Sequence, residues 1–418
     1  MNGIAPTNGT AYGKPKGLSG LLRSKVFYAF IFFACISGLW AQSKFGTIAP
    51  SDFPFHTWTG WAVEDYLSDK QGRPNLVFLG SSLVLVPVAG VDADYLQRPI
   101  DGSHHHRSQY FEDRFRKKTG LSIKTFNFGL PGEMPSDAYL ITKFLLKGEK
   151  RPDVIVYGVG PRDFMDNLLP SPSATDPYLY LNRFGDVSTH AHLIAPEWLQ
   201  RLSFDLERWC FIYGHKYDFD VQTGRLLTAI MDRLVPKPAT EHPFTIHDRR
   251  RLFPDYHPME ITANECFFRP TTKESRTFSD ANLQEYKKRY AHLNWRTFLH
   301  QMTFLADLMN TARERGTQVV LVAMPITDLN RQLLEEGTWE SYRRSLKVLA
   351  TSKGATFIDL GDSPEFNLND FMDTVHLHSG GGMKMLDIVA ERAARERKVL
   401  AAFTRRSDAI AGIKGGQL

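Results

Sequence analysis

The sequence predicts an α/β protein built on a doubly wound, five-stranded parallel sheet, with a large insertion and an N-terminal transmembrane helix. Three observations carry that expectation. From residue 75 onward, short apolar runs alternate with amphipathic stretches, the rhythm of repeated strand–helix–strand units. Most of the runs are apolar at odd and even positions alike, as in strands covered by helices on both faces. Residues 164–293 then interrupt the rhythm, too long a stretch for a loop, which predicts a folded insertion above the strand ends.

The chain opens on a basic tail, 1–25, with Lys14, Lys16, Arg23 and Lys25 and no acid. Residues 26–43, "VFYAFIFFACISGLWAQS", follow without a charge. That length is at the short end of what spans a bilayer, where ~20 residues are typical. Basic residues ahead of the segment predict a cytoplasmic N-terminus and an extracytoplasmic remainder. A cleaved signal peptide is the rival, with Ala41 ending the site, but Leu39 is a poor match for the small residue required there. An uncleaved anchor is preferred, with Trp40 at the outer interface. Residues 44–74 read as a linker.

The expected strands are "NLVFLG" (75–80), "SIKTFNFG" (122–129), "DVIVYGVG" (153–160), "QVVLVAMP" (318–325) and "ATFIDL" (355–360). Helical patterns fall between them. "RSQYFEDRFRKKTG" closes on Gly120, and "SDAYLITKFLLKG" has Ser136 as its expected N-cap and Gly148 as terminator. "WRTFLHQMTFLADLMNTARERG" is the longest pattern, and "TWESYRRSLKVLATSKG" precedes the fifth strand. A last helix is expected over roughly 382–403. The α/β domain therefore comprises 75–163 and 294–403, with 164–293 as insertion or cap and 404–418 as a tail.

Composition excludes little but is useful on charge. A formal net charge of +5 over 418 residues is slight. No dense basic run has interleaved aromatics, so nucleic acid is not an expected partner; the triplet 249–251 reads as a solvated turn. Of three cysteines, Cys35 lies in the anchor, and Cys210 and Cys266 match no metal motif. No metal and no cofactor are expected. The histidines 104–106 read as solvated loop residues.

Three short motifs supply the parts of a site. The first strand ends in Gly80-Ser81-Ser82, either a tight turn or a nucleophile at the carboxyl end of a parallel strand, where open α/β sheets carry their chemistry. "FNFGLPGEMPSD" follows the second strand, where the Gly132 amide suits an oxyanion hole and Asn127 braces the loop. "DFMDTVHLHSGGGMKML" precedes the last helix and holds Asp373 and His376 three residues apart. A D-x-x-H turn brings a carboxylate to one imidazole nitrogen and leaves the other to take a hydroxyl proton. His378 reads as local packing or a substrate contact, and "HDRRRLFPDYHP" (247–258) as surface suited to an anionic sugar or simply to solvent.

In this order and these places, the motifs resemble those of the SGNH (GDSL-like) hydrolase superfamily. Gly80-Ser81-Ser82 matches its G-D-S block, with Ser82 as the implied nucleophile and Ser81 as the alternative. Asn127 to Gly132 matches N-x-x-x-x-G, and Asp373-Thr374-Val375-His376 matches D-x-x-H. Within "GVGPRDF", Arg162 stands where the third block has asparagine, and Asp163 matches its acid. Ser81 for aspartate and Arg162 for asparagine are departures; an arginine still donates hydrogen bonds, to an oxyanion or to an anionic substrate group.

The resemblance implies a flavodoxin-like SGNH fold with catalytic Ser82, Asp373 and His376 and oxyanion or substrate contacts from Gly132, Arg162 and Asn127. A narrower likeness is to membrane-anchored members acting in O-acylation of cell-envelope polymers, the D-alanyl-lipoteichoic acid transfer protein and the alginate O-acetylation proteins. It implies an exported serine O-acyltransferase or esterase on an envelope polysaccharide, with a membrane-bound O-acyltransferase as partner. A non-catalytic scaffold or glycan-binding protein is the alternative from another class, and a soluble secreted esterase the third.

Overall fold

A computed structural model describes residues 24–44, 46–50, 57–68, 73–169, 171–234, 267–272 and 277–404. It divides into two compact units, one of Met1–Ile48 with Leu202–Glu241 and one of Ala49–Arg201 with His242–Leu418. Residues 1–23, Cys266, the stretch 247–258 and the tail 405–418 lie outside the described residues.

The larger unit carries a parallel sheet of five strands: β1 (Leu76–Gly80), β2 (Thr125–Gly129), β3 (Val154–Val159), β4 (Gln318–Ala323) and β5 (Thr356–Asp359). Their order is β2-β1-β3-β4-β5, every pair parallel. All five residues of β1 and of β2 and all six of β3 are buried, as the two-faced apolar runs demand. The path steps one way from β1 to β2 and the other way from β2 past β1 to β3. Because crossovers are right-handed, that reversal puts the connections on opposite faces and opens a switch point at the carboxyl ends of β1 and β3. Accordingly, the helices Ser82–Leu96, Gln109–Thr119 and Ser379–Arg395 pack together as one group, and Pro135–Phe144, Trp295–Glu314 and Thr338–Lys353 form another.

One row of the sheet explains how the Ser82 helix is seated. Gly80 is in register with Gly129 on one side and Gly158 on the other, so three glycines lie abreast at the carboxyl edge. A Cβ at Gly158 would come within 2.5 Å of Val84, and one at Gly129 within 2.7 Å of the Leu85 backbone nitrogen. The missing side chains let the first turn of the Ser82 helix settle onto the strand ends.

Several local expectations are revised. The stretch expected as linker contains a helix, Trp58–Leu67, whose Trp58, Ala62, Val63 and Tyr66 are buried. Tyr66 packs its ring 4.9 Å from both Phe126 and Phe128, which fastens this helix to β2. Ser136 is not a helix N-cap. Pro135 already occupies the first turn, Met134 is the cap, and Asp137 reaches back to accept its amide at 2.9 Å. The last helix starts at Ser379 and breaks at Glu396 before resuming over 397–404.

In the smaller unit, the helix Lys25–Ser43 has 19 residues and is apolar and long enough to cross a membrane. At ~1.5 Å per residue it spans about 29 Å, close to the hydrocarbon core of a bilayer. Residues 202–234, expected within a single insertion, belong to this unit instead. Trp40 packs on Phe219 with ring centroids 5.2 Å apart, and the Ile48 amide donates to Asp218 at 3.2 Å.

Candidate active site

Ser82 is the first residue of its helix, reached from β1 through Gly80 at φ +145°, a backbone angle that glycine adopts and L side chains rarely do. A serine here sits at the positive end of the helix dipole, and its own amide has no intrahelical acceptor. The two serines part company. Ser81 is buried against Asp163, whereas Ser82 Oγ lies 2.8 Å from His376 Nε2.

The segment 373–376 forms a self-bonded turn. Asp373 Oδ1 accepts the amides of Val375 at 2.9 Å and His376 at 2.8 Å, and Oδ2 lies 2.7 Å from His376 Nδ1. With Nδ1–H donated to Asp373, Nε2 is the acceptor for the Ser82 hydroxyl. Burial pushes the Asp373 carboxyl up, but the His376 ring and the two amides outweigh it and hold its pKa below the ordinary value. Thr374, fully buried, pins the turn. Its carbonyl accepts from Thr327 Oγ1 at 2.8 Å, and its hydroxyl bonds Asn282 at 2.8 Å and Asn330 at 3.1 Å.

Ser82, His376 and Asp373 open into a cavity of about 340 Å³ that Gly132 and Arg162 also line. Gly132 has φ +80°, and among the described residues neither its amide nor that of Ser82 has a hydrogen-bond acceptor. Arg162 packs over Gly132, its Nη2 3.5 Å from where a Cβ would stand. The guanidinium is held from behind by ion pairs: Nε lies 2.8 Å from Asp166 Oδ2, and Nη1 is 3.6 Å from Asp163. Asp166, fully buried, also accepts from Leu168 N at 2.8 Å and pairs with Arg289. Asp163 accepts the Gly160 amide at 2.8 Å. Burial raises its carboxyl to about 6 against the pull of Arg162, the Gly160 amide and Ser81.

Asn127 is elsewhere. It is buried in β2 and its Oδ1 accepts the Gly129 amide at 2.9 Å, so it braces the strand end and does not line the cavity. The histidine triplet is not solvated as a group. His104 pairs with Asp65 at 2.9 Å and His105 with Asp92 at 2.9 Å; His106 is buried and stacked on Phe126 at 4.6 Å. His378 caps the last helix, accepting the Gly380 amide at 2.9 Å, and donates to the Asn369 carbonyl. Among the described residues, no group of three or more His, Cys, Asp or Glu is placed to hold a metal ion.

Sequence reasoning missed one wall. Asn282, Glu285, Tyr286, Arg289 and Tyr290, on and around the helix Leu283–Arg289, line the cavity. A signal was present: 282, 286 and 290 recur every four residues, as do 285 and 289, which places each set along one helix face. Burial raises the Tyr286 phenol well above its ordinary range. Behind the Gly132 turn, Glu133 is fully buried, and burial, then Asp137 and Asp163, push its carboxyl well above the usual value.

The model of an uncharacterised family matches residues 273–396, which include this wall and the 373–376 turn and amount to under half of the chain. No curated protein matches the sequence.

Proposed function

We propose that the chain is a membrane-anchored, extracytoplasmic serine acyltransferase or esterase of the SGNH kind that works through an acyl-Ser82 intermediate. The observation that carries this reading is the continuous relay from Ser82 Oγ through His376 to Asp373, at 2.8 and 2.7 Å. Sheet order supports the SGNH fold, and the Lys25–Ser43 helix supports the anchor. The acceptor, an envelope polysaccharide, and the partner, a membrane-bound O-acyltransferase, rest on the motif resemblance.

In this mechanism Ser82 Oγ attacks the acyl carbonyl as its proton passes to His376 Nε2, while Asp373 stabilises the imidazolium. The carbonyl oxygen becomes an oxyanion, met by the amides of Ser82 and Gly132 and by Arg162. Collapse breaks the bond to the leaving group, which takes the proton from His376. A glycan hydroxyl, or water, then gives its proton to His376 and attacks the acyl-serine; the second collapse returns that proton to Ser82. Transfer and hydrolysis differ in how well water is excluded.

A fluorophosphonate or a slow acyl donor is expected to mark the peptide containing Ser82. The adduct should vanish in Ser82→Ala, persist in Ser81→Ala, and form several orders of magnitude more slowly in His376→Ala. Mass spectrometry of the trapped peptide reads this. No adduct in the folded protein, with its membrane partner supplied, would leave the scaffold reading in its place.

A further inference from the structure

The smaller unit has an apolar surface that the catalytic reading does not use. The helix Trp198–Trp209 presents Leu202, Leu206 and Trp209 at i, i+4 and i+7, exposed at 50%, 45% and 88%. The helix Lys216–Leu234 carries a second stripe, Leu226, Ile230 and Leu234 at i, i+4 and i+8, exposed at 61%, 42% and 72%. Soluble surfaces scatter such side chains singly, and aligned stripes of them mark an interaction face.

The position of these helices in the unit names what covers them. The Lys25–Ser43 helix is bare along most of its length, and Ser37 is its one buried residue. Ser37 meets Cys210 at 3.8 Å, and Trp40 meets Phe219. Ser37 is six residues before the helix end at Ser43, or about 9 Å along the axis, and Trp40 about 4.5 Å. An amphipathic helix lying in a bilayer surface buries its apolar face about 5–10 Å into the headgroup–acyl boundary. The chain therefore docks the stretch that joins the two striped helices, 210–219, against the anchor at interfacial depth. Leucine and tryptophan are exposed there, and Glu207 and Arg208 lie off the stripe of the first helix.

We infer that residues 202–234 are a second membrane contact, an interfacial element whose two apolar stripes enter the leaflet at the C-terminal end of the anchor. The inference rests on reading Lys25–Ser43 as membrane-spanning, and the test separates the two. The full-length chain is reconstituted in phosphatidylcholine–phosphatidylglycerol vesicles with one environment-sensitive fluorophore per variant. The fluorophore is placed on native Cys35, or on Leu206→Cys, Ile230→Cys or Glu207→Cys, with the remaining native cysteines changed to serine.

Lipids brominated near the headgroup are expected to quench the label at 206 and 230 several-fold more than at 207, and aqueous iodide to do the reverse. Lipids brominated deep in the chain should quench the label at Cys35. Loss of quenching at Cys35 overturns the anchor reading itself. Quenching at Cys35, with iodide reaching 206 and 230 as freely as 207, overturns the inference alone. Protection of 206 and 230 from both quenchers also overturns it, and assigns the stripes to a second copy of the chain or another protein.

Discussion

One wall of the cavity is the carboxyl edge of the sheet, where Gly132 and Gly160 bare the backbone and Ser82 begins a helix. Another is the helix Leu283–Arg289 with its flanks, where Asn282, Glu285, Tyr286 and Arg289 supply long polar side chains. At the sheet edge, strand register sets position: a glycine row admits the helix, and the helix start orients Ser82. At the helix wall, position comes from side chains pairing with each other, as Arg289 does with Glu285 and Asp166. Chemistry that tolerates little displacement belongs on the first kind of wall, and recognition, which varies with the acceptor, on the second.

Arg162 joins the two walls through Asp166, so its removal has the largest effect on the contrast. As an oxyanion donor, Arg162→Ala is expected to lower kcat by about 10²-fold with KM little changed. Arg162→Lys should not restore it, because a lysine has no planar fork to bond Asp166 and the oxyanion together. Asp166→Asn should lose part of the same kcat through misplacement of the guanidinium. A rise in KM alone, with turnover of neutral esters untouched, would move Arg162 to acceptor binding and attach it to the helix wall.

A smaller effect tests the helix wall alone. Glu285, half exposed, forms an i,i+4 pair with Arg289. Such a pair contributes about 0.2–1 kcal/mol, so Glu285→Ala should leave the unfolding midpoint nearly where it was. Its expected signature is a several-fold change in KM for a polymeric acceptor, with a much smaller change in kcat for a small ester. Equal losses on both substrates would make this wall part of the catalytic geometry and erase the distinction.

The same division governs what was legible in the sequence. Each of the five strands is found within a few residues of its expected place; for the first four the reason is burial on both faces, whereas in the fifth only Ile358 is buried. Gly80-Ser81-Ser82 and the Asp373–His376 spacing were readable since each is a local device within four residues. The Trp58–Leu67 helix was not, because what holds it is remote: Thr59 bonds Asp176 at 2.8 Å, and Tyr66 packs on β2. The 282–290 wall has its periodicity in the sequence, but its place beside Ser82 comes from Asn282 bonding Thr374 and Arg289 bonding Asp166, partners 92 and 123 residues away. Asn127 shows the converse: a residue singled out in the second strand need not face the cavity.

The smallest effect concerns what lies behind the sheet edge. Asp137 is fully buried, and burial raises its carboxyl to about 7 against the hydrogen bonds from Thr175 and the Met134 amide. The unfolded value is about 3.9, so between about pH 4 and pH 7 the folded chain binds more of this proton than the unfolded one. The stability contributed is therefore complete below the unfolded pKa and is lost as pH rises through the folded one. Asparagine keeps both bonds, its Oδ1 accepting the Met134 amide and its Nδ2 donating to Thr175 Oγ1, which passes its own proton to the Pro172 carbonyl at 3.0 Å. Asp137→Asn should thus approach the parent chain in denaturant midpoint near about pH 4 and exceed it by a growing margin up to about pH 7 and above, with a shallower fall between. Part of the slope should remain, carried by Asp163, whose carboxyl is raised to about 6, and by Glu133. Parallel curves for the two proteins would mean that Asp137 stays ionised at neutral pH, with its charge balanced by Arg162.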